Sequence, residues 1–340
     1  MDTTFIDACL RRPVSRTPVW YMRQAGRYQA EYRKIRETHG ILEICRTPEL
    51  AYEVTMLPVR QLGIDAAILF SDIMIPVAAM GVDLRIDPGK GPVIGEPVRS
   101  AADIEKLHPI DAEADLDFVI KAIEMLVADL SIPLIGFCGA PFTLSSYLIE
   151  GGASRQFIHT KALMYGQPAL WHSLMEKLAD TVVASLRAQV AAGATAVQLF
   201  DSWVGALSPQ DYVEYVLPHS RRIFVELADL DVPRIHFGVL TGELLELMRD
   251  AGADVVGVDW RTPMDRARER LGDTVAVQGN LDPVVLFAGW DAVESQARDI
   301  LRRAEGAPGF VFNLGHGVLP QTDPDILRRL TDFIHEETAK

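Results

Sequence analysis

Arg23 and Arg27 flank Gln24, Ala25 and Gly26 at i, i+4 spacing in "MRQAGRY". If this stretch is helical, the spacing puts both guanidinium groups on one face. Two arginines held close repel each other unless an anion joins them, and the planar guanidinium fork matches a carboxylate or phosphate with two parallel hydrogen bonds. Arg33, Lys34 and Arg36 follow, against the lone anion Glu31, in a chain whose formal net charge is −14. Positive charge gathered locally in an acidic chain suits a small anionic ligand. Asp72 is the second candidate. It lies in "ILFSDIMIP", between apolar runs. Burial raises a carboxyl's pKa unless donors hold the charge. A buried Asp at a site therefore acts as a general acid or as an acceptor for ligand N–H groups.

These residues follow apolar, β-branched runs that read as strands at 18–22, 65–70, 133–137, 196–200, 233–237, 255–260, 274–278 and 310–314. The runs are nearly continuous rather than alternating, the pattern of parallel strands covered on both faces. Helix-like segments separate them. Gly63, Gly193, Gly252 and Gly272 sit where helices should end, and Ser208-Pro209 marks a helix start. Eight strands alternating with helices predict a single-domain α/β fold over residues 1–340, a (β/α)₈ TIM barrel, with a short β-hairpin insertion near 81–98. An open doubly wound sheet is the alternative, weakened by the lack of GxGxxG in the first unit.

Barrel chemistry sits beyond the C-terminal strand ends. Those ends carry Arg23, Gln24 and Arg27; Ser71 and Asp72; Cys138 and then Tyr147; Asp201 and Ser202; His236; Asp259; Gln278 and Asn280; Asn313 and His316. Some have plainer readings. Asp259 and Asn280 read as loop closures, Cys138 as a packed core thiol, His236 as a core histidine and Lys34 as part of a solvated helix face.

The three cysteines are far apart and form no CxxC, so neither a disulfide framework nor a cysteine zinc site is expected, and a reducing, cytoplasmic setting fits. The acidic balance argues against nucleic-acid binding. The best membrane candidate, 64–82, is interrupted by Asp65 and Asp72 and reads as strand and loop. The start "MDTTFIDACLRR" lacks the apolar region of a signal peptide.

Taken together, "MRQAGRY" (22–28), "FSDI" (70–73), "GFCGAPFTLSSYLIEGG" (136–152), "LFDSW" (199–203), "RIHFG" (234–238) and "NLGHGVLPQTDP" (313–324) resemble the uroporphyrinogen decarboxylase family, in family order and over about residues 4–335. The resemblance implies a (β/α)₈ barrel and a homodimer. It also implies metal-free and cofactor-free removal of four acetate carboxylates from uroporphyrinogen III, giving coproporphyrinogen III. By resemblance, Asp72, Arg27 and Arg23 are the catalytic candidates. Arg23, Gln24, Ala25, Gly26, Arg27, Asp72, Tyr147, Ser202 and His316 are the binding set, with Arg36 and Phe200 as further candidates. A related branch of the same fold transfers methyl groups with zinc. That branch resembles HxC where this chain has His236-Phe237-Gly238, and it carries a cysteine where this chain has His316. A tetrapyrrole carrier and a phosphate-binding barrel enzyme are the other readings, neither favoured by this residue set.

Overall fold

The computed structural model describes residues 2–87, 89–306 and 308–340. Its strands, in chain order, are β1 (Ala67–Ile68), β2 (Leu84–Asp87), β3 (Gly91–Ile94), β4 (Leu134–Gly139), β5 (Ala196–Asp201), β6 (Arg234–Gly238), β7 (Val255–Gly257), β8 (Ala276–Leu281) and β9 (Phe310–Leu314). Seven of them form one curled parallel sheet in the order β1-β4-β5-β6-β7-β8-β9. The predicted hairpin is present as the antiparallel pair β2–β3, with Leu84 opposite Ile94.

The run 18–22 departs from expectation. It forms no strand of the sheet, only a parallel bridge between Val19 and Phe312. The Phe312 N–H donates to Pro18 O (2.9 Å) and the Trp20 N–H to Phe312 O (3.3 Å); on the other side the Asp65 N–H donates to Val19 O (2.8 Å). The chain then turns away, because the Gln24 N–H bonds back to Tyr21 O and Arg23 takes a left-handed φ of 57°. The sheet therefore has seven strands rather than eight.

The helices form as their end signals imply. Gly63 caps the helix Pro48–Leu62 at φ 64°, a conformation that costs a residue with a Cβ. The Ser208 side chain accepts the Asp211 N–H at the start of Pro209–Tyr215. The long helix Pro168–Ala191 buries Trp171, Leu174, Met175, Leu178, Val182 and Leu186 against the outer face of the sheet. Residues 64–82 form β1, the wall segment 69–74 and the short helix Ile75–Ala79. No described helix is long and apolar enough to cross a membrane.

A buried carboxylate ties both ends of the chain to this frame. Asp65 is 2% exposed. It accepts from the Val19 N–H (2.7 Å) and the Arg16 guanidinium (2.6 Å), and its Oδ2 lies 2.6 Å from Nε2 of His335, on the helix Pro324–Thr338.

Candidate active site

The strand ends open into a cavity of about 520 Å³ lined by both polar and aromatic side chains. Its floor is built by register. Phe200 on β5 lies opposite Phe237 on β6, and Phe137 on β4 packs edge-on to Phe200 (5.4 Å between centroids). Phe200 meets Phe237 edge-on at 6.0 Å. These aromatic faces exclude water below the polar rim. Beneath them a hydrogen-bonded chain, Trp20 to Gln278 to Gln198, crosses the interior.

Asp72 lies in the wall segment 69–74 that continues β1. Its Oδ1 accepts the Met74 N–H (2.9 Å); no described residue donates to Oδ2. Desolvation raises the carboxyl's pKa, opposed by the Met74 N–H and the charge of Arg23. One oxygen is held by the Met74 N–H, and the second is available to a ligand.

Arg23 reaches this cavity through a loop rather than a helix. Residues 21–29 form successive turns, and the helix starts only at Ala30 (Ala30–Thr38). The loop is stitched to the exit of β9: Asn313 Oδ1 accepts the Met22 N–H (3.1 Å), and the Val318 N–H donates to Met22 O. The Arg23 stem crosses Gly317, where a Cβ would stand 2.4 Å from Arg23 Cδ. Glycine there leaves the lane the arginine occupies. Gly315 is equally confined, since a Cβ would stand 2.4 Å from the Trp260 backbone nitrogen.

His316, between those glycines, lines the cavity. Its Nδ1 accepts the Gly317 N–H (2.8 Å), so the neutral ring carries its proton on Nε2 and donates from there. Burial, aided by Arg23, lowers its pKa to about 4. Tyr147, on the helix Pro141–Glu150, stacks on Trp203 with centroids 4.0 Å apart. Burial, with a smaller contribution from Asp72, pushes its hydroxyl to about 12, which keeps it a neutral donor. Ser202 lies on the adjoining wall.

The cavity thus brings together Arg23, Gln24, Ala25, Asp72, Tyr147, Phe200, Ser202 and His316. Arg27, Gly26 and Arg36 do not line it. Because residues 23–27 are not helical, Arg23 and Arg27 do not share a helix face. Arg27 is exposed, and it and Arg36 both act on Tyr32, whose ring packs against Phe70 of the wall (5.6 Å). The Gln24 amide is engaged on both sides, by the Tyr21 N–H and Ala66 O, and so shapes the loop. Trp203, Phe70, Phe137 and Phe237 are wall residues that the motif reading passed over. Their signal was position: each lies within or beside a strand-end run.

The plainer readings hold for several residues. Asp259 accepts from the Leu240 and Arg261 backbones, and Asn280 donates to Asp259 O and Thr262 O. Cys138 is buried, with its thiol pushed up to about 12. His236 is fully buried, on the strand face away from the cavity. A thiolate metal site has no room at 238: a Cβ on Gly238 would stand 2.5 Å from Thr241 Cγ2 and 3.1 Å from Asp201 O. Among the described residues no three His, Cys, Asp or Glu side chains gather as metal ligands.

The sequence profile described as "Uroporphyrinogen decarboxylase (URO-D)" matches residues 1–337. A uroporphyrinogen decarboxylase from Salinispora tropica is 59% identical over 340 residues, covering 100% of this chain and 91% of the relative. One from Streptomyces coelicolor is 57% identical over 340 residues, covering 100% and 96%. Among solved structures, a methyltransferase from Methanosarcina mazei superposes with a TM-score of 0.81 at 19% identity, covering 98% of each chain. That likeness concerns the fold alone.

Proposed function

The chain belongs to the uroporphyrinogen decarboxylase family, and on that footing we propose that it is a carboxy-lyase removing the four acetate carboxyl groups of uroporphyrinogen III to give coproporphyrinogen III and CO₂. The observation that carries this reading is the pairing of a ligand-facing Asp72 oxygen with Arg23 in one aromatic-floored cavity, in a chain that matches the family from end to end.

The substrate presents eight carboxylates outside a ring of four pyrrole N–H groups. A domed macrocycle can aim all four N–H groups at one acceptor, and a carboxylate oxygen pair has about four lone-pair directions. Asp72 is the acceptor in this reading, and the four donors hold it ionised. Arg23 grips a carboxylate arm inside the cavity, while Arg27 and Arg36 meet arms that project past Phe70. Tyr147, Ser202 and the Nε2–H of His316 donate to the remaining inner arms.

Loss of CO₂ from an acetate on a pyrrole needs an electron sink. Protonation of the adjacent ring carbon makes the pyrrole an iminium-like cation. The C–CO₂ bond then breaks, and its electron pair neutralises the cation as an exocyclic methylene. A proton on that methylene and loss of the first proton from the ring carbon complete a methyl group. Each turnover therefore takes up one proton per CO₂ released. The anion of Asp72 beside the ring nitrogens favours the cation; preorganised charge of this kind contributes about 10²–10³ in rate. The ring is its own sink, so the step calls on no cofactor. Arg23 lines the cavity whereas Arg27 does not, and it is our choice to deliver the proton, directly or through a carboxyl it holds.

We read the fold as one eight-stranded barrel domain in which residues 18–20 occupy the eighth place, supported by their hydrogen bonds to Phe312 and Asp65. The homodimer and cytoplasmic setting rest on the family resemblance. Incubation with reduced uroporphyrinogen III, followed by chromatography of the porphyrins, tests the activity. Stepwise appearance of hepta-, hexa-, penta- and tetracarboxylate species supports it; unchanged octacarboxylate overturns it.

A further inference from the structure

Behind the cavity wall lies a polar cluster that the reaction as described does not use. Asp201, the last residue of β5, is fully buried and faces the helix layer, while its neighbours Phe200 and Ser202 line the cavity. Its Oδ2 stands 3.7 Å from Nε2 of His236, also fully buried. That gap is too long for a direct hydrogen bond. The Tyr212 hydroxyl feels the charge of Asp201. Among the described residues, Asp201 Oδ2, both ring nitrogens of His236, the Tyr212 hydroxyl and the Ser220 hydroxyl all lack a hydrogen-bond partner. Burying polar groups without partners works against stability. An apolar replacement would pack here at less cost, so stability alone does not account for the carboxylate.

The other oxygen of Asp201 supplies a reason. Thr143 Oγ1 donates to Asp201 Oδ1 (3.0 Å) and accepts the Trp203 N–H (3.3 Å). Because the threonine hydroxyl has one proton, committing it to Asp201 turns its lone pairs toward Trp203. Thr143 lies on the helix Pro141–Glu150, four residues before Tyr147 and so on the same face. That helix therefore meets the loop after β5 at two points: the hydrogen bond at Thr143 and the Tyr147–Trp203 ring stack. Ser202 lies between Asp201 and Trp203, the two residues that Thr143 bonds.

We propose that Asp201 is a positioning residue that, acting through Thr143, sets the hydroxyls of Ser202 and Tyr147 on the cavity wall. The role rests on the decarboxylase reading of the cavity, because those hydroxyls matter only if they receive the substrate's arms. Four acetates must be presented in turn to one site, so a displaced wall impairs every step, and partly processed species then build up.

The test compares wild type, Thr143→Val, Thr143→Ser and Asp201→Asn with reduced uroporphyrinogen III as substrate. Thr143→Val keeps the branched shape and removes the hydroxyl. It should lower kcat by about tenfold to a hundredfold, the scale of a misplacement near 1 Å. KM should change by less than about threefold, and hexa- and pentacarboxylate porphyrinogens should accumulate. Thr143→Ser should restore most of the rate. Asp201→Asn should fall between wild type and Thr143→Val, because the amide Oδ1 can still accept from Thr143 but without the charge that strengthens the bond. Assays run well below each variant's melting temperature. A Thr143→Val enzyme with wild-type kcat and intermediate pattern overturns the proposal, whatever its thermal stability. Wild-type turnover in the same experiment checks the activity itself, so failure of the brace and failure of the decarboxylase reading give different results.

Discussion

At the scale of the residue, the arrangement turns on two groups whose protonation the fold biases in opposite ways. Asp72 has a raised pKa, so the folded state holds its proton more tightly than the unfolded chain does. Its contribution to stability is present below the unfolded carboxyl value and is lost as pH rises through the folded one. At neutral pH this preference for the protonated form thus works against the fold. Asp72→Asn keeps an acceptor for the Met74 N–H and removes that burden. The variant should melt at or above the wild-type temperature at pH 7, yet lose about 10²–10³ in turnover. A lower melting temperature with near-normal rate would contradict both statements. His316 has a folded pKa near 4, below its usual value. Stability it contributes at neutral pH is lost as pH falls from about 6.5 toward 4, because the unfolded histidine gains a proton the folded one refuses. His316→Asn lacks that loss, so its melting temperature relative to wild type should climb on acidification from pH 7 to pH 4.5. A constant offset would count against the neutral, Nε2-protonated ring.

At the scale of the element, loop 21–29 and the turn after β9 act as one unit. Gly317→Ala would push on the Arg23 stem, since the added methyl has 2.4 Å to Arg23 Cδ. It should raise KM about tenfold, the value of one weakened charged contact. The double variant Gly317→Ala/Arg23→Ala should be no worse than Arg23→Ala alone, which steady-state kinetics on the four proteins reads directly. Additive losses would mean the glycine serves something other than the arginine. The clip at Asp65 is structural. Asp65→Asn should destabilise the protein by about 3 kcal/mol in chemical denaturation, because Arg16 and His335 lose a buried partner. This unit also marks where local pattern ran out. The cap at Ser208 and the apolar face of Pro168–Ala191 were legible because both are set by neighbours in sequence. The conformation of Arg23 was not. Its spacing to Arg27 suited a helix, but Asn313 and Val318, almost three hundred residues away, hold the backbone in turns. For the same reason run 18–22 shrinks to the bridge at Val19.

At the scale of the whole molecule, the proposed function has an acidic chain bind a polyanion through Arg23 in the cavity and Arg27 and Arg36 outside it. The rule that chemistry collects at strand ends was enough to mark Asp72, Tyr147, Ser202 and His316 before any coordinates. It could not tell which strand-end residues face the cavity and which face the helices. Asp201 and His236 sit one residue from Phe200 and Phe237 yet point the opposite way, and only register decides that. Nor could it give Gly317 its role, which exists only where two distant segments cross. In this reading the ring nitrogens of the substrate converge on the Asp72 carboxylate, with carboxylate arms reaching outward to the guanidinium groups. A crystal structure of the protein with bound coproporphyrinogen III tests this most directly. All four pyrrole nitrogens should turn toward Asp72 within hydrogen-bond reach, with a propionate on Arg23; a macrocycle whose nitrogens face away from Asp72, or one seated outside the cavity, would refute the proposed role of Asp72.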